Sequence, residues 1–184
     1  MNLLYIDIES TGLDHDHHEV VEIAGIIEVN GEIIDDFCFK CRPLTNNRSD
    51  EALDIIGYTW AELQDFPHPS EAIQKINSIL RKHQLQDKIH LVGHNVSFDE
   101  KFFHNLWDTY KTDSVLDFND VFSYRSIDTL SIAMFMHYCG RESIKYFGLE
   151  QLANKLKVNI EGRYHTAYYD AMVTRECFQA MSVL

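Results

Sequence analysis

Apolar residues recur along this chain at two spacings, and the switches between them mark out its elements. Leu3-Leu4-Tyr5-Ile6 is a short apolar run of buried-strand type. Val20–Val29 and Glu32–Lys40 flank Asn30-Gly31, a strong two-residue hairpin signal, so the first three strands are expected to lie antiparallel. Ile89-His90-Leu91-Val92 reads as a further strand. Helical spacing predicts helices over 70–80, 97–107, 129–139, 149–156 and 167–181. Strands interleaved with helices make an α/β layered pattern. Residues 44–69 carry the least regular pattern and are expected to form a flexible rim. A chain of 184 residues with 45% hydrophobic content buries a sizeable core, and its length predicts a single domain over 1–184.

The polar positions that interrupt this pattern include four acids and a histidine. Asp7-Ile8-Glu9 closes the first strand, where residues two apart share a face. Asp7 and Glu9 are therefore expected to point together while Ile8 faces the opposite layer. Paired acids at a buried strand end repel each other, and a cation relieves that cost. Ser10-Thr11-Gly12 then supplies a polar turn where backbone can approach a substrate. Asp-x-Glu alone reads equally well as an ordinary strand end with solvated acids.

Gly93-His94-Asn95-Val96 forms the exit loop of the fourth strand, and Ser97 with Glu100 reads as a helix-capping pair. Asp99 then falls in the first helical turn, where the helix dipole favours an acid. Phe98, Phe102, Phe103 and Leu106 form an apolar stripe at helical spacing, read as core rather than as a stacking platform. His165 and Asp170 are five residues apart, so at about 100° per residue they would diverge by about 140° if both were helical. They converge only if His165 lies in the loop before the last helix, after Glu161-Gly162-Arg163-Tyr164. A loop histidine suits a base for water, and a helical Asp170 suits a fixed metal ligand. Oxygen ligands for hard divalent cations beside a histidine are the equipment of two-metal phosphodiester hydrolysis.

The runs Asp7-Ile8-Glu9-Ser10-Thr11-Gly12-Leu13, Gly93-His94-Asn95 with Phe98-Asp99, and His165-x-Ala167-x-x-Asp170-Ala171 resemble the three motifs of the DEDDh, or DnaQ-like, 3′-to-5′ exonucleases, the family of the proofreading subunit of bacterial DNA polymerase III. Weaker similarities are Val21-Glu22-Ile23-Ala24, Asp128-Thr129-Leu130 and Leu149-x-x-Leu152-Ala153, and the resemblance spans Leu3 to about Phe178. It implies the ribonuclease H-like exonuclease fold, a central mixed sheet with flanking helices. It implies that Asp7, Glu9, Asp99 and Asp170 bind two divalent cations, Mg²⁺ or Mn²⁺, with His165 as the base. It also implies that Thr11, Gly12 and Leu13, with Asn95, bind the terminal nucleotide, Leu13 acting as a wedge. The implied substrate is a single-stranded or frayed nucleic-acid 3′ end, DNA first and short RNA as the alternative. Tyr169 stands where many members carry a second acid, and Ser10 replaces a common threonine.

Charge bears on the substrate. Sixteen Lys and Arg against twenty-nine Asp and Glu give −13, which opposes long tracking along nucleic acid and favours short or single-stranded ends, or delivery by a partner. Lys101, Lys145, Lys155, Lys157 and Arg163 are candidates for a local basic rim, each equally an ordinary solvated charge. No run is long enough to span a bilayer and no basic, cleavable leader opens the chain, so a cytoplasmic protein without membrane partners is expected. Cys38 and Cys41 lack a second ligand pair, so reduced thiols are expected rather than zinc or disulfides.

Asp14-His15-Asp16-His17-His18-Glu19 reads as a solvated loop. Trp60, Trp107, Met134 and Met136 read as packing residues, and His94 as an ordering group for the second motif. The chain ends at Leu184, just past the last expected helix, which favours a free-standing nuclease or an unfamiliar docking surface over a known polymerase partner. Two rivals stand: a haloacid dehalogenase-like phosphatase, for which Glu9 departs from the usual Asp, and a noncatalytic nucleic-acid-binding subunit.

Overall fold

A computed structural model describes residues 1–140 and 147–183. Five strands form one mixed sheet in the order β3-β2-β1-β4-β5: β1 (Asn2–Ser10), β2 (Val20–Val29), β3 (Glu32–Lys40), β4 (Ile89–Gly93) and β5 (Ile127–Asp128). β1 pairs antiparallel with β2 and β2 with β3, joined at Asn30 and Gly31, both with positive φ as the tight hairpin requires. β4 and β5 run parallel to β1.

The period of two sorts β1 into two cores. Leu4, Ile6 and Ile8 pack with Ile23, Ile27 and the helices α3 (Pro69–His83) and α4 (Val96–Tyr110). Leu3 and Tyr5 face the other way, against Ala171 and Phe178 of α8 (Ala167–Ser182). The Tyr5 and Phe178 rings lie 6.0 Å apart. Continuing that second face, Asp7 and Glu9 fall on the α8 side while Ile8 stays in the first core, as the alternation requires. Trp107 is fully buried, ringed by Phe103, Phe118 and Phe122, with its indole N–H donating to the Leu116 carbonyl at 2.9 Å. Truncating it to alanine removes about 3–5 kcal/mol.

The expected helices are present as α3, α4, α6 (Thr129–Tyr138), α7 (Leu149–Leu156) and α8. Three differences have local causes. Residues 44–69 are not an irregular rim: they carry α1 (Asp50–Ile56), capped by Ser49, and α2 (Trp60–Gln64), whose Thr59 and Glu62 form a reciprocal capping box. These helices span two turns or fewer, too short to establish a periodic signal. Ser97 and Glu100 do not cap α4; its N-cap is Asn95 in a left-handed conformation (φ 70°), and Glu100 instead accepts from the Ser126 hydroxyl at 3.1 Å. The two-residue β5 and the four-residue α5 (Phe118–Val121) have no periodicity to read.

Among the proposed packing residues, Trp107 and Met136 are buried. Met134 is exposed beside Phe135, because α6 packs only one face against its neighbours, and Trp60 is half-buried under Arg48. Cys38 is exposed and Cys41 buried, both free thiols. No helix among the described residues is long and apolar enough to cross a membrane.

Candidate active site

Asp7 and Glu9 leave the end of β1 on one face, and Asp170 reaches them from the first turn of α8. One carboxylate oxygen each of Glu9 and Asp170 and one ring nitrogen of His165 lie within 4.8 Å of one another. His165 is in the loop before α8, exposed, with a left-handed backbone (φ 63°). Its N–H donates to Asp170 Oδ2 at 2.9 Å. The five-residue spacing is thus bridged by a turn that folds the histidine back over its own helix. Asp99 enters from α4, where its Oδ1 accepts the Ile8 N–H at 3.0 Å, fixing a buried acid to the strand between the other two.

A fifth acid supports this group. Glu22 is buried and faces Glu9 across the β1–β2 ladder. Its Oε1 accepts the Ala167 N–H at 3.0 Å, pinning the start of α8 to the sheet. The sequence signal for it was an acid inside an otherwise apolar strand, a placement that demands a partner. Asp128, the N-cap of α6, plays the matching part on the second motif by accepting the Asn95 N–H at 2.8 Å. His94 joins the same layer, 3.0 Å from Thr129 Oγ1 and 2.6 Å from the Phe147 carbonyl, and burial lowers its pKa.

The turn after β1 is closed from several sides. The Thr11 side chain is fully buried, donating to the Asn47 carbonyl at 2.8 Å and accepting the Glu19 N–H at 3.0 Å, so it faces inward. Gly12 lies against the His18 ring, where an added Cβ would come within 2.3 Å. His18 is held in turn by the Asp14 N–H, 3.2 Å from its Nδ1, so part of the expected solvated tract buttresses the first motif. Leu13 stands out at 84% exposure. It borders a cavity of about 180 Å³ shared with Asn95, Phe98, Lys101 and Phe102. Phe102, Phe103 and Leu106 are core, whereas Phe98 is half-buried at the cavity wall. Of the suggested basic rim, Lys101 lines this cavity and Arg163 packs on Gly57. Lys157 ends α7, Lys155 lies on that helix, and Lys145 falls outside the described residues.

Electrostatics give this arrangement its chemical meaning. Burial, then the charges of Asp99, Asp170, Glu9 and Glu22, push the Asp7 carboxyl well above its ordinary range. Burial, with Asp170 and Glu22, raises Glu9 to about 7. Burial raises Asp170 to about 6 against the opposing His165 N–H, and burial likewise raises Asp99. Asp170 Oδ1 is buried with no hydrogen-bond partner. An acceptor-only oxygen in that state, beside three further carboxylates, fits a hard divalent cation and little else.

A family model for exonucleases matches residues 4–178. The chain is 28% identical over 173 residues to the PolC-type DNA polymerase III of Thermotoga maritima, covering 94% of this chain and 11% of that protein. It is 30% identical over 168 residues to the Bacillus cereus counterpart, covering 91% and 10%. The chain thus spans about a tenth of the length of these relatives. Its fold is similar to exonuclease I of Methylocaldum szegediense, with TM-score 0.78, 16% identity, and coverage of 99% of this chain and 40% of that one. It is also similar to E. coli exonuclease I in complex with a 5cy-dA13 oligonucleotide, with TM-score 0.77, 19% identity, and coverage of 99% and 40%. A third similar structure is the nuclease domain of 3'hExo, a DEDDh family member bound to rAMP, with TM-score 0.74, 18% identity, and coverage of 99% and 92%. These matches displace the phosphatase reading. With a family model matching residues 4–178 and the motif acids gathered at one sheet end, the chain belongs to the exonuclease family.

Proposed function

We propose that residues 1–184 form a single domain that shortens single-stranded or frayed DNA from the 3′ end, releasing nucleoside 5′-monophosphates. The observation that carries this reading is the meeting of Asp7, Glu9, Asp99 and Asp170, with one Asp170 oxygen buried and unpartnered, beside a loop histidine. Asp7, Glu9, Asp99 and Asp170 would hold two divalent cations, Mg²⁺ or Mn²⁺. When bound, such ions acidify water and stabilise charge on the attacking and leaving oxygens of an in-line displacement.

The chain's own groups do the rest. His165 accepts the proton of the attacking water at a ring nitrogen, and its exposed loop position lets the proton pass on to solvent. Asp170 orients that loop by accepting the His165 N–H. Leu13 wedges against the terminal base, Gly12 lets backbone approach the nucleotide, and Asn95 faces it from the turn before α4. Thr11 contributes from behind, as the buried tie between the first motif and the loop at Asn47. The reaction is assigned to the cytoplasm, in keeping with relatives that are DNA polymerases.

DNA is favoured because those relatives are DNA polymerases and the E. coli exonuclease I structure holds an oligonucleotide with deoxyadenosines. Short RNA is the second reading, favoured by the rAMP on the 3'hExo domain. The test compares 5′-labelled single-stranded DNA, RNA and mismatched duplex ends in Mg²⁺ or Mn²⁺. Stepwise shortening from the 3′ end is expected, fastest on DNA; internal cuts alone would overturn the reading, and faster loss of RNA would select the second one. Turnover by highly purified protein also removes the noncatalytic rival.

A further inference from the structure

The segment between β3 and α3 carries cations that the catalytic acids do not use. The Arg48 guanidinium lies over the Trp60 indole, 4.6 Å from its ring centroid, and also donates to Asn46 Oδ1. Lys40 Nζ sits 4.8 Å from the ring centroids of both Tyr58 and Phe66. Arg163 packs on Gly57, where an added Cβ would come 2.9 Å from its Nη2. Lys75, Lys82, Lys111 and Arg175 each pair with a carboxylate; among the described residues Arg48, Lys40 and Arg163 show no such pair. In a chain of net charge −13, these three exposed cations form no carboxylate salt bridge among the described residues and are braced on rings or backbone, with Glu22 acting on Lys40 only at a distance. A cation held this way has already lost much of its conformational freedom and keeps N–H donors for an incoming anion.

Their position relates them to the cleft. The residues on either side of Arg48 are tied to the first motif: the Thr11 hydroxyl donates to the Asn47 carbonyl at 2.8 Å, and the Ser49 N–H donates to the Thr11 carbonyl at 2.7 Å. Lys40 is in register with Glu22, and Glu22 with Glu9, so Lys40 lies two ladder spacings, about 10 Å, from Glu9 along the sheet. Arg163 precedes His165 by two residues. The α1–α2 segment therefore joins the first and third motifs along one side of the cleft, with cations at both ends and half-exposed aromatic rings between.

We propose that this segment is a strand-binding ledge: Arg48 and Lys40 hold backbone phosphates on the 5′ side of the scissile nucleotide, and Trp60 supports a base there. The ligand is a single-stranded polynucleotide several nucleotides long. This rests on the exonuclease reading above and adds a length requirement to it. The ledge acts on affinity for the strand, while the acids and His165 act on the bond.

The test uses the full chain as wild type, Arg48→Gln, Lys40→Gln and the double variant, with unchanged thermal melting as the folding control. Each is measured on a 5′-labelled oligothymidylate and on the p-nitrophenyl ester of thymidine 5′-monophosphate, which has no upstream phosphate. Binding of fluorescein-labelled oligothymidylate in Ca²⁺ is followed by anisotropy. A charged hydrogen bond lost at a phosphate predicts about a tenfold rise in KM and Kd for the oligomer per cation. It also lowers the slope of log Kd against log salt by about 0.7 per cation. Ester hydrolysis and oligomer kcat should stay within about twofold of wild type. Wild-type oligomer affinity and salt slope in the double variant would overturn the ledge, as would an equal loss on the ester. Wild-type protein that cleaves neither substrate, with variants that still bind the oligomer more weakly, would overturn the catalytic reading and support the ledge.

Discussion

The carboxylate of Glu22, near the start of the chain's second strand, accepts the backbone N–H of Ala167, 145 residues later, and so fixes the helix that carries Asp170. Replacing Glu22 by alanine strands that N–H and lets α8 drift from the sheet. The expected cost is about 1–3 kcal/mol of stability with weaker Mg²⁺ binding. Glu22→Gln keeps an acceptor oxygen and removes a charge that helps raise Glu9, so metal binding should persist to lower pH than in wild type. Denaturant unfolding and isothermal metal titration of the two variants check this; equal behaviour would remove the hydrogen bond from the account.

Asp7→Asn is expected to abolish hydrolysis without loss of fold. The wild-type acid is raised by burial and by four neighbouring carboxylates, so the amide relieves repulsion in metal-free protein. At pH 8 without divalent ions, the variant's melting temperature should be no lower than wild type, and the stabilisation by Mg²⁺ should vanish. Near-normal turnover in Mg²⁺ would contradict Asp7 as a ligand.

The same raised carboxyls fix the sign of a pH effect. Glu9 moves from 4.5 to about 7 and Asp170 from 3.8 to about 6, so in this window the folded chain binds more protons than the unfolded one. Their contribution to stability is present below the unfolded values and is lost as pH rises through the folded values. Metal-free protein should therefore lose stability from about pH 4 to 7. Divalent ions should restore it most at the upper end while releasing protons. Thermal melts across pH, with and without EDTA, measure both limbs; a rise for the metal-free chain across this window would refute the assignment.

His165→Ala should slow single-turnover cleavage by about 10²- to 10⁴-fold, the usual loss on removing a general base. Divalent binding should stay largely intact, because the proposed ligands are the four carboxylates and not the imidazole. Metal titration and rate are read on one preparation. Lost affinity would make His165 a ligand, which its place within 4.8 Å of Glu9 and Asp170 makes a real alternative to exclude.

The acids and His165 were legible in the sequence because each belongs to a short motif whose local geometry is restrictive. Period two placed Asp7 with Glu9, and the five-residue gap forced His165 out of the helix. The hairpin at Asn30-Gly31 was legible for the same reason. What sequence did not reveal depends on contacts between distant segments. Ser97 and Glu100 have the spacing of a cap, yet Asp128 draws the Asn95 N–H and sets the helix start two residues earlier than Ser97 would. Helices α1 and α2 are too short for periodicity, so their role beside the cleft emerges only from the bonds to Thr11 and the packing of Arg163 on Gly57. The inward turn of the Thr11 side chain is equally invisible in the motif that contains it.

The span of the Ile8–Asp99 and Glu22–Ala167 bonds also governs when the enzyme becomes dangerous to its surroundings. These bonds close loops of 91 and 145 residues, and the second needs a helix made near the end of the described chain. During synthesis, the first motif is translated long before the segment that completes it. A nascent chain stalled before residue 165 holds only part of its acid cluster and no loop histidine. On the proposed assignment of Asp170 and His165, activity is expected only once the last helix has docked, and proteolytic removal of that helix is expected to abolish it.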